Sequence, residues 1–332
     1  VARRIPRPAA KSAKKIVAFL RARPIIRPMR EIPSGVYCAA YTPVAANGAL
    51  LEKELRHNLT FLRDSGAHGI MAMGSTGNFA SFSPEERRAI LEVTMAERGS
   101  MAVIANVSHV RLREAVSLGK HAAELGAEAL AVLPPWFYPI SQPDIVEFYV
   151  QIGQETGKPL LLYNFPERTG SRLELETIAA ICDRTPVVAL KHSGADWPYL
   201  QPLIDLGREK GYKVLVGMDT RLAETMRMGA EGVIGGLVNI SPAWFVEIFN
   251  AAKSGAWEKA DLPTSRIRQY AAPLSKLAFP LDVAAAMEAA GLPVGESCRP
   301  LSQVSRAAWA AIVSELRPLF QSWGLQAPRF QS

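Results

Sequence analysis

Lys191 closes an uninterrupted apolar run, Val187-Val188-Ala189-Leu190, and is followed by His192 and Ser193. Two behaviours are open to an amine in that position. Its stem can lie along apolar surface while the ammonium reaches solvent or an acidic partner. Alternatively, the amine is desolvated enough to lose its proton and attack a carbonyl carbon, forming a Schiff base. At an unperturbed pKa of about 10.4, only about one such amine in 2,500 is free at neutral pH, so the second role needs burial. Another apolar run ends in Tyr163-Asn164. A phenol beside the amine can shuttle protons while a carbinolamine forms and collapses. Polar groups close other runs as well: Ser75-Thr76, and Gly217-Met218-Asp219. The stretch Pro134-Pro135-Trp136-Phe137-Tyr138 is instead apolar and aromatic.

Such residues converge only if the runs that carry them lie side by side. Eight short β-branched or apolar runs, at 36–41, 69–73, 102–106, 129–133, 159–163, 187–191, 213–217 and 232–235, alternate with longer amphipathic segments. The segments 50–64, 84–98, 112–125, 144–155 and 173–182 read as helices. Ser83-Pro84-Glu85-Glu86 supplies an N-cap, a proline at the first helical position and a capping-box glutamate. The runs lack strict alternation, as expected for parallel strands covered on both faces. The expected fold is therefore α/β, a (β/α)8 TIM barrel, with catalytic groups at the C-terminal strand ends. A doubly wound sheet is the lesser alternative, because neither GxGxxG nor GxxxxGK[ST] occurs. A further helix at 242–254 would close the barrel, and those at 256–277, 281–290 and 302–323 predict a C-terminal helical extension. The expected division is a basic extension at 1–33, a catalytic barrel at 34–254 and a helical region at 255–332.

Composition narrows the function classes. The chain of 332 residues has 38 Lys+Arg, 31 Asp+Glu and a formal charge of +7, with 48% hydrophobic and 21% charged residues. Ten bases and one acid fall in residues 1–31, leaving 28 bases and 30 acids in the rest, a net charge of −2. The basic balance thus belongs to the beginning of the chain, and no nucleic-acid partner is expected from the body. The first 28 residues, Arg-rich and acid-poor, resemble a transit peptide, but Met29 as the functional start is the favoured expectation. Cys38, Cys182 and Cys298 lie far apart without CxxC spacing, which predicts a reducing, cytoplasmic setting. No apolar stretch approaches membrane-spanning length, and no membrane partner is expected. His57, His68, His109 and His121 share no metal-binding spacing, and no metal site is expected. His192 is expected to be a packing residue.

Three stretches, GSTGN at 74–78, LLYNFPERTG at 161–170 and ALKHSG at 189–194, resemble the signatures of the dihydrodipicolinate synthase/N-acetylneuraminate lyase family. Order and spacing agree over about 290 residues. The resemblance implies a class I, pyruvate-dependent aldolase on a (β/α)8 barrel. It implies that Lys191 forms a Schiff base with pyruvate, that Tyr163 transfers protons, and that Ser75 and Thr76 hold the pyruvate carboxylate, with Ser75 extending the relay from Tyr163. Gly217 and Ile234 match positions lining the pocket, and Arg168 matches an arginine that binds an aldehyde's carboxylate. The competing reading of Arg168 is a loop salt bridge with Glu167 or Glu174. No cofactor beyond the covalent Schiff base is implied.

Departures from the pattern point in two directions. Trp136 stands where synthases carry a relay tyrosine from across a subunit interface, and an indole N–H cannot pass a proton on. Tyr138 could substitute only on a reshaped loop. Asn78 replaces an acidic residue, and the region 277–291 lacks an NPxPxK-like run. Asp219 matches an aspartate that binds substrate hydroxyls in the lyases. The expected activity is a dihydrodipicolinate synthase-like (4-hydroxy-tetrahydrodipicolinate synthase type) condensation of pyruvate, a keto acid, with an aldehyde. The alternatives are a 2-keto-3-deoxy sugar acid aldolase or dehydratase, and a non-catalytic pyruvate-sensing barrel. A homo-oligomer, dimer or tetramer, is expected.

Overall fold

The structure is a computed structural model that describes residues 32–327 and residue 330; the basic segment expected at 1–33 lies outside the described residues as far as Glu31. Eight parallel strands close on themselves in chain order. They are β1 (Gly35–Ala39), β2 (Gly69–Ala72), β3 (Ala102–Asn106), β4 (Ala129–Val132), β5 (Leu160–Asn164), β6 (Val187–His192), β7 (Lys213–Val216) and β8 (Gly232–Gly235). Every residue of β1 to β5 is buried, which is why the sequence shows continuous apolar runs rather than alternation.

Eight helices return the chain to the N-terminal end of the barrel: α1 (Glu52–Asp64), α2 (Pro84–Glu97), α3 (Leu112–Glu124), α4 (Gln142–Thr156), α5 (Leu175–Cys182), α6 (Trp197–Lys210), α7 (Leu222–Met228) and α8 (Pro242–Ser254). The capping box forms as expected, with Glu86 N–H donating to Ser83 Oγ at 3.2 Å and Ser83 N–H to Glu86 Oε2 at 2.7 Å. It satisfies two N-terminal donors of α2 and so sets where the helix after β2 begins. The seam between β8 and β1 needs glycine at Gly232, whose φ is +145° and where a Cβ would lie 2.0 Å from Gly35 O. No other residue brings the two backbones close enough to close the barrel.

Three helices follow, α9 (Glu258–Ala271), α10 (Leu281–Ala289) and α11 (Gln303–Ser322), with a 3-10 segment over Ala272–Lys276. Buried Tyr270 ties α9 to the loop after β8, its hydroxyl lying 2.9 Å from Ser241 Oγ. A Cβ on Gly236, just beyond β8, would lie 3.4 Å from Val283 Cγ2, which places the first turn of α10 over the barrel mouth. The C-terminal helices therefore contribute to the wall of the site.

Candidate active site

β5 and β6 run side by side, and their register puts Tyr163 opposite Lys191. Both point into the barrel mouth, 1% and 4% exposed. Lys191 Nζ stands 4.4 Å from the centroid of the Tyr163 ring, and Ser75 Oγ lies 3.2 Å from the Tyr163 hydroxyl. A chain of amine, phenol and hydroxyl thus crosses from β6 to the loop after β2. The salt-bridged alternative for Lys191 is not what forms, since among the described residues the amine has no carboxylate within 4.0 Å.

The loop after β2 is strained and purposeful. Met73 and Asn78 both have φ of +55°. Asparagine tolerates that left-handed conformation better than a glutamate would, which accounts for Asn78 at this place. Among the described residues, the backbone N–H groups of Ser75, Thr76 and Gly77 donate to no protein acceptor. Consecutive free N–H groups in a turn make an anion-binding concavity, suited to a carboxylate.

Thr76, Tyr163, Lys191, Gly217, Asp219, Ile234 and Arg168 share one cavity of about 660 Å³. Gly217 is bare for a reason: a Cβ there would lie 2.1 Å from Ser193 Oγ and 3.3 Å from Lys191 Cε. Asp219 Oδ1 accepts from Leu237 N–H at 3.2 Å. Burial raises its carboxyl to about 6, against the opposing pull of Lys191 and nearby backbone N–H groups. A side chain on Gly235 would collide with that carboxyl, its Cβ 1.9 Å from Asp219 Oδ1.

Arg168 sits on a one-turn helix, Pro166–Thr169, and leans into the cavity over Phe165 and Phe279, 5.8 and 5.4 Å from their ring centroids. Neither expected salt bridge forms. Glu167 Oε1 accepts from Ala195 N–H at 2.7 Å, and Glu174 pairs with Arg172 at 3.0 Å.

Two expected residues are placed differently. Ser75 is not part of the cavity wall, although it reaches Tyr163. Trp136 does not enter the pocket. Its ring packs edge-on against Phe79 at 5.6 Å, because the chain turns away at Phe137, where φ is +82°. Phe137 and Tyr138 are left 84% and 77% exposed, and neither Trp136 nor Tyr138 bonds Ser75 among the described residues. His192 points outward from β6, with Nδ1 3.2 Å from Asn164 Nδ2 and its ring against Tyr199 at 5.9 Å. Burial lowers its pKa, so it packs as a neutral ring. The wall also includes Ser193, Leu274, Phe279, Asp282 and Val283, the last four of them from the C-terminal part of the chain. Sequence reasoning missed Asp282, whose one signal is a charge near the start of an alanine-rich helical stretch.

The model of the dihydrodipicolinate synthetase family matches residues 32–317. The chain belongs to that family. Among its relatives, the 4-hydroxy-tetrahydrodipicolinate synthase of Methanocaldococcus jannaschii is 31% identical over 277 residues, covering 82% of this chain and 93% of that one. The dihydrodipicolinate synthase of Acinetobacter baumannii, solved in complex with pyruvate, is 26% identical, with a TM-score of 0.78 over 88% of this chain and 99% of that one. The N-acetylneuraminate lyase of Fusobacterium nucleatum is 25% identical, with a TM-score of 0.79 over 87% and 99%. The family members it resembles are thus lyases from both of the branches that its motifs suggested.

Proposed function

We propose that this protein is a Schiff-base lyase that joins pyruvate to a carboxylated aldehyde in a dihydrodipicolinate synthase-like reaction. The observation that carries the reading is the buried Lys191 facing Tyr163, with Ser75 behind the phenol. The free amine of Lys191 attacks the keto carbon of pyruvate, and Tyr163 returns a proton to the departing oxygen, which leaves as water. The resulting iminium accepts the electron pair released when a methyl proton is removed. The enamine then adds to the aldehyde carbon, whose oxygen takes up a proton, and water hydrolyses the product from Lys191. The free N–H groups of Ser75 and Thr76 would hold the pyruvate carboxylate in one pose throughout. Arg168 would receive the carboxylate of the aldehyde.

No step calls on a metal ion or other cofactor. Asp219 supports a second reading, cleavage or dehydration of a 2-keto-3-deoxy sugar acid, because its carboxyl lines the same cavity and can accept from a substrate hydroxyl. The exposed Phe137 and Tyr138 pair, 4.9 Å apart, supports association of the chain into a homo-oligomer. Unpaired Cys38, Cys182 and Cys298 support a reducing, cytoplasmic setting, and among the described residues no helix is long and apolar enough to cross a membrane.

Borohydride trapping tests the mechanism. Incubation with pyruvate and borohydride should add the mass of a reduced pyruvate imine to the peptide carrying Lys191. An unmodified Lys191 would remove the Schiff-base reading. Adduct formation without turnover of any aldehyde or sugar acid would favour a pyruvate-binding barrel instead.

A further inference from the structure

Asp282 is the second residue of α10 and reaches the wall of the cavity that contains Lys191. As a carboxylate in the first turn of a helix it has an ordinary structural role, and its Oδ1 does accept from Val283 N–H at 2.8 Å. Among the described residues, Oδ2 accepts from no other residue. Among the described residues no cation lies within 4.0 Å of Asp282, and no carboxylate lies within 4.0 Å of Arg168. Yet the two are close enough for the guanidinium to oppose the rise that burial imposes on the Asp282 carboxyl. Phe165 and Phe279 flank the guanidinium and hold its position. Opposite charges thus face one cavity without closing on each other, and a ligand between them can satisfy both.

We infer that Arg168 and Asp282 together select the acceptor, favouring a carboxylate whose neighbouring carbon bears a hydrogen-bond donor, either hydroxyl or ammonium. Arg168 takes the carboxylate through paired N–H groups, and Asp282 accepts from the donor one carbon away. A site built to bond a substrate donor discriminates strongly against the analogue that lacks it, because one oxygen of the half-buried carboxylate then gives up water without gaining a partner. The inference rests on the lyase reading for its biological meaning, but its test does not require turnover.

Titration calorimetry on the full chain, loaded with pyruvate, would compare three unreactive four-carbon acids: 2-aminobutyrate, 2-hydroxybutyrate and butyrate. At least one donor-bearing acid should bind about tenfold or more tighter than butyrate. A preference confined to the amino acid identifies an ammonium-bearing acceptor, and one confined to the hydroxy acid identifies a sugar-acid acceptor. Asp282→Asn should abolish the preference, whereas Arg168→Ala should weaken all three acids. If Asp282→Asn does not fold, Asp282→Ser supplies the same comparison. Equal binding of the three acids, or a preference that survives removal of the carboxylate, overturns the inference. Borohydride trapping on the unsubstituted protein, run in parallel, reports separately on the lyase reading.

Discussion

Lys191 faces Tyr163 because the register between β5 and β6 slips by one residue: Leu160 pairs with Val187, but Leu161 pairs with Ala189. Had the pairing run on from Leu160 and Val187 without the slip, Tyr163 would stand opposite Leu190, and the amine would share the other face of the sheet with Asn164. The slip therefore brings together the amine and the phenol of the proposed proton path, with Ser75 Oγ 3.2 Å from the phenol hydroxyl. Tyr163→Phe keeps the ring and removes only the hydroxyl, so kcat should fall by about 10² to 10⁴. Ser75→Ala, one step further from the amine, should lower it by roughly tenfold. Single-turnover imine formation followed by quench and mass analysis would check both. A Tyr163→Phe enzyme as fast as its parent would mean that another group moves the proton.

Gly217 provides a steric prediction. Because its absent side chain leaves room for Ser193 Oγ and the Lys191 stem, Gly217→Ala forces one or both to move. Overpacking of this sort costs typically about 1–3 kcal/mol, and displacing the amine by even a fraction of an ångström disturbs its approach to the keto carbon. The expected result is a loss of kcat/KM on the order of tenfold or more with a moderate drop in melting temperature. Unchanged kinetics would show that Ser193 alone yields and that Lys191 keeps its place.

Among the described residues Arg168 has no ion pair to lose, so its substitution should read directly on substrate. Arg168→Ala should raise KM for a carboxylated aldehyde by about one to two orders of magnitude and leave KM for pyruvate near its original value. Arg168→Lys should recover little of the loss, because an ammonium cannot form the paired bonds of a guanidinium. Steady-state kinetics with both substrates varied would decide the matter. Equal effects on pyruvate and aldehyde would place Arg168 in support of the whole pocket rather than in acceptor binding.

Much of this architecture was legible in the residues themselves. The run expected at 102–106 is β3 as observed, and the other strands agree to within two residues, because a strand buried on both faces must be apolar throughout. The same physics concealed the slip at Val188, since a run without alternation carries no record of which residue faces which side. Trp136 was misplaced for a different reason. Whether it reached the pocket depended on the backbone turn at Phe137, whose φ of +82° an aromatic residue rarely adopts and sequence does not announce. Asp282 was hidden by topology, since only the packing of α10 over the mouth brings a residue from so late in the chain to the wall of the cavity that holds Lys191. Sequence showed it only as one acid in a stretch that departs from the synthase pattern.

Asp219 makes the stability of the protein depend on pH in a direction opposite to that of a salt-bridged carboxylate. Its pKa rises from 3.8 to about 6 on folding, chiefly through burial, so the folded state binds a proton more readily than the unfolded chain. The group's stabilising contribution is therefore complete below about pH 3.8 and is lost progressively as pH rises through about 6. At about 1.4 kcal/mol per unit, ionisation costs the fold at most about 3 kcal/mol at neutral pH, less where cavity water reaches the carboxylate. Asp219→Asn carries no such charge. Relative to the parent, the variant should gain about 2 kcal/mol between about pH 4.5 and about pH 7.5, measured by urea unfolding at each pH. Asp282, raised to a similar value, remains in both proteins and cancels from the difference. A gap that stays constant with pH would show that Asp219 titrates normally, and the second reading would then lose the perturbed carboxyl as a proton-transfer group. If the predicted slope appears while turnover of a hydroxylated acceptor falls in Asp219→Asn, the same carboxyl is both a burden on the fold and a contact for the substrate.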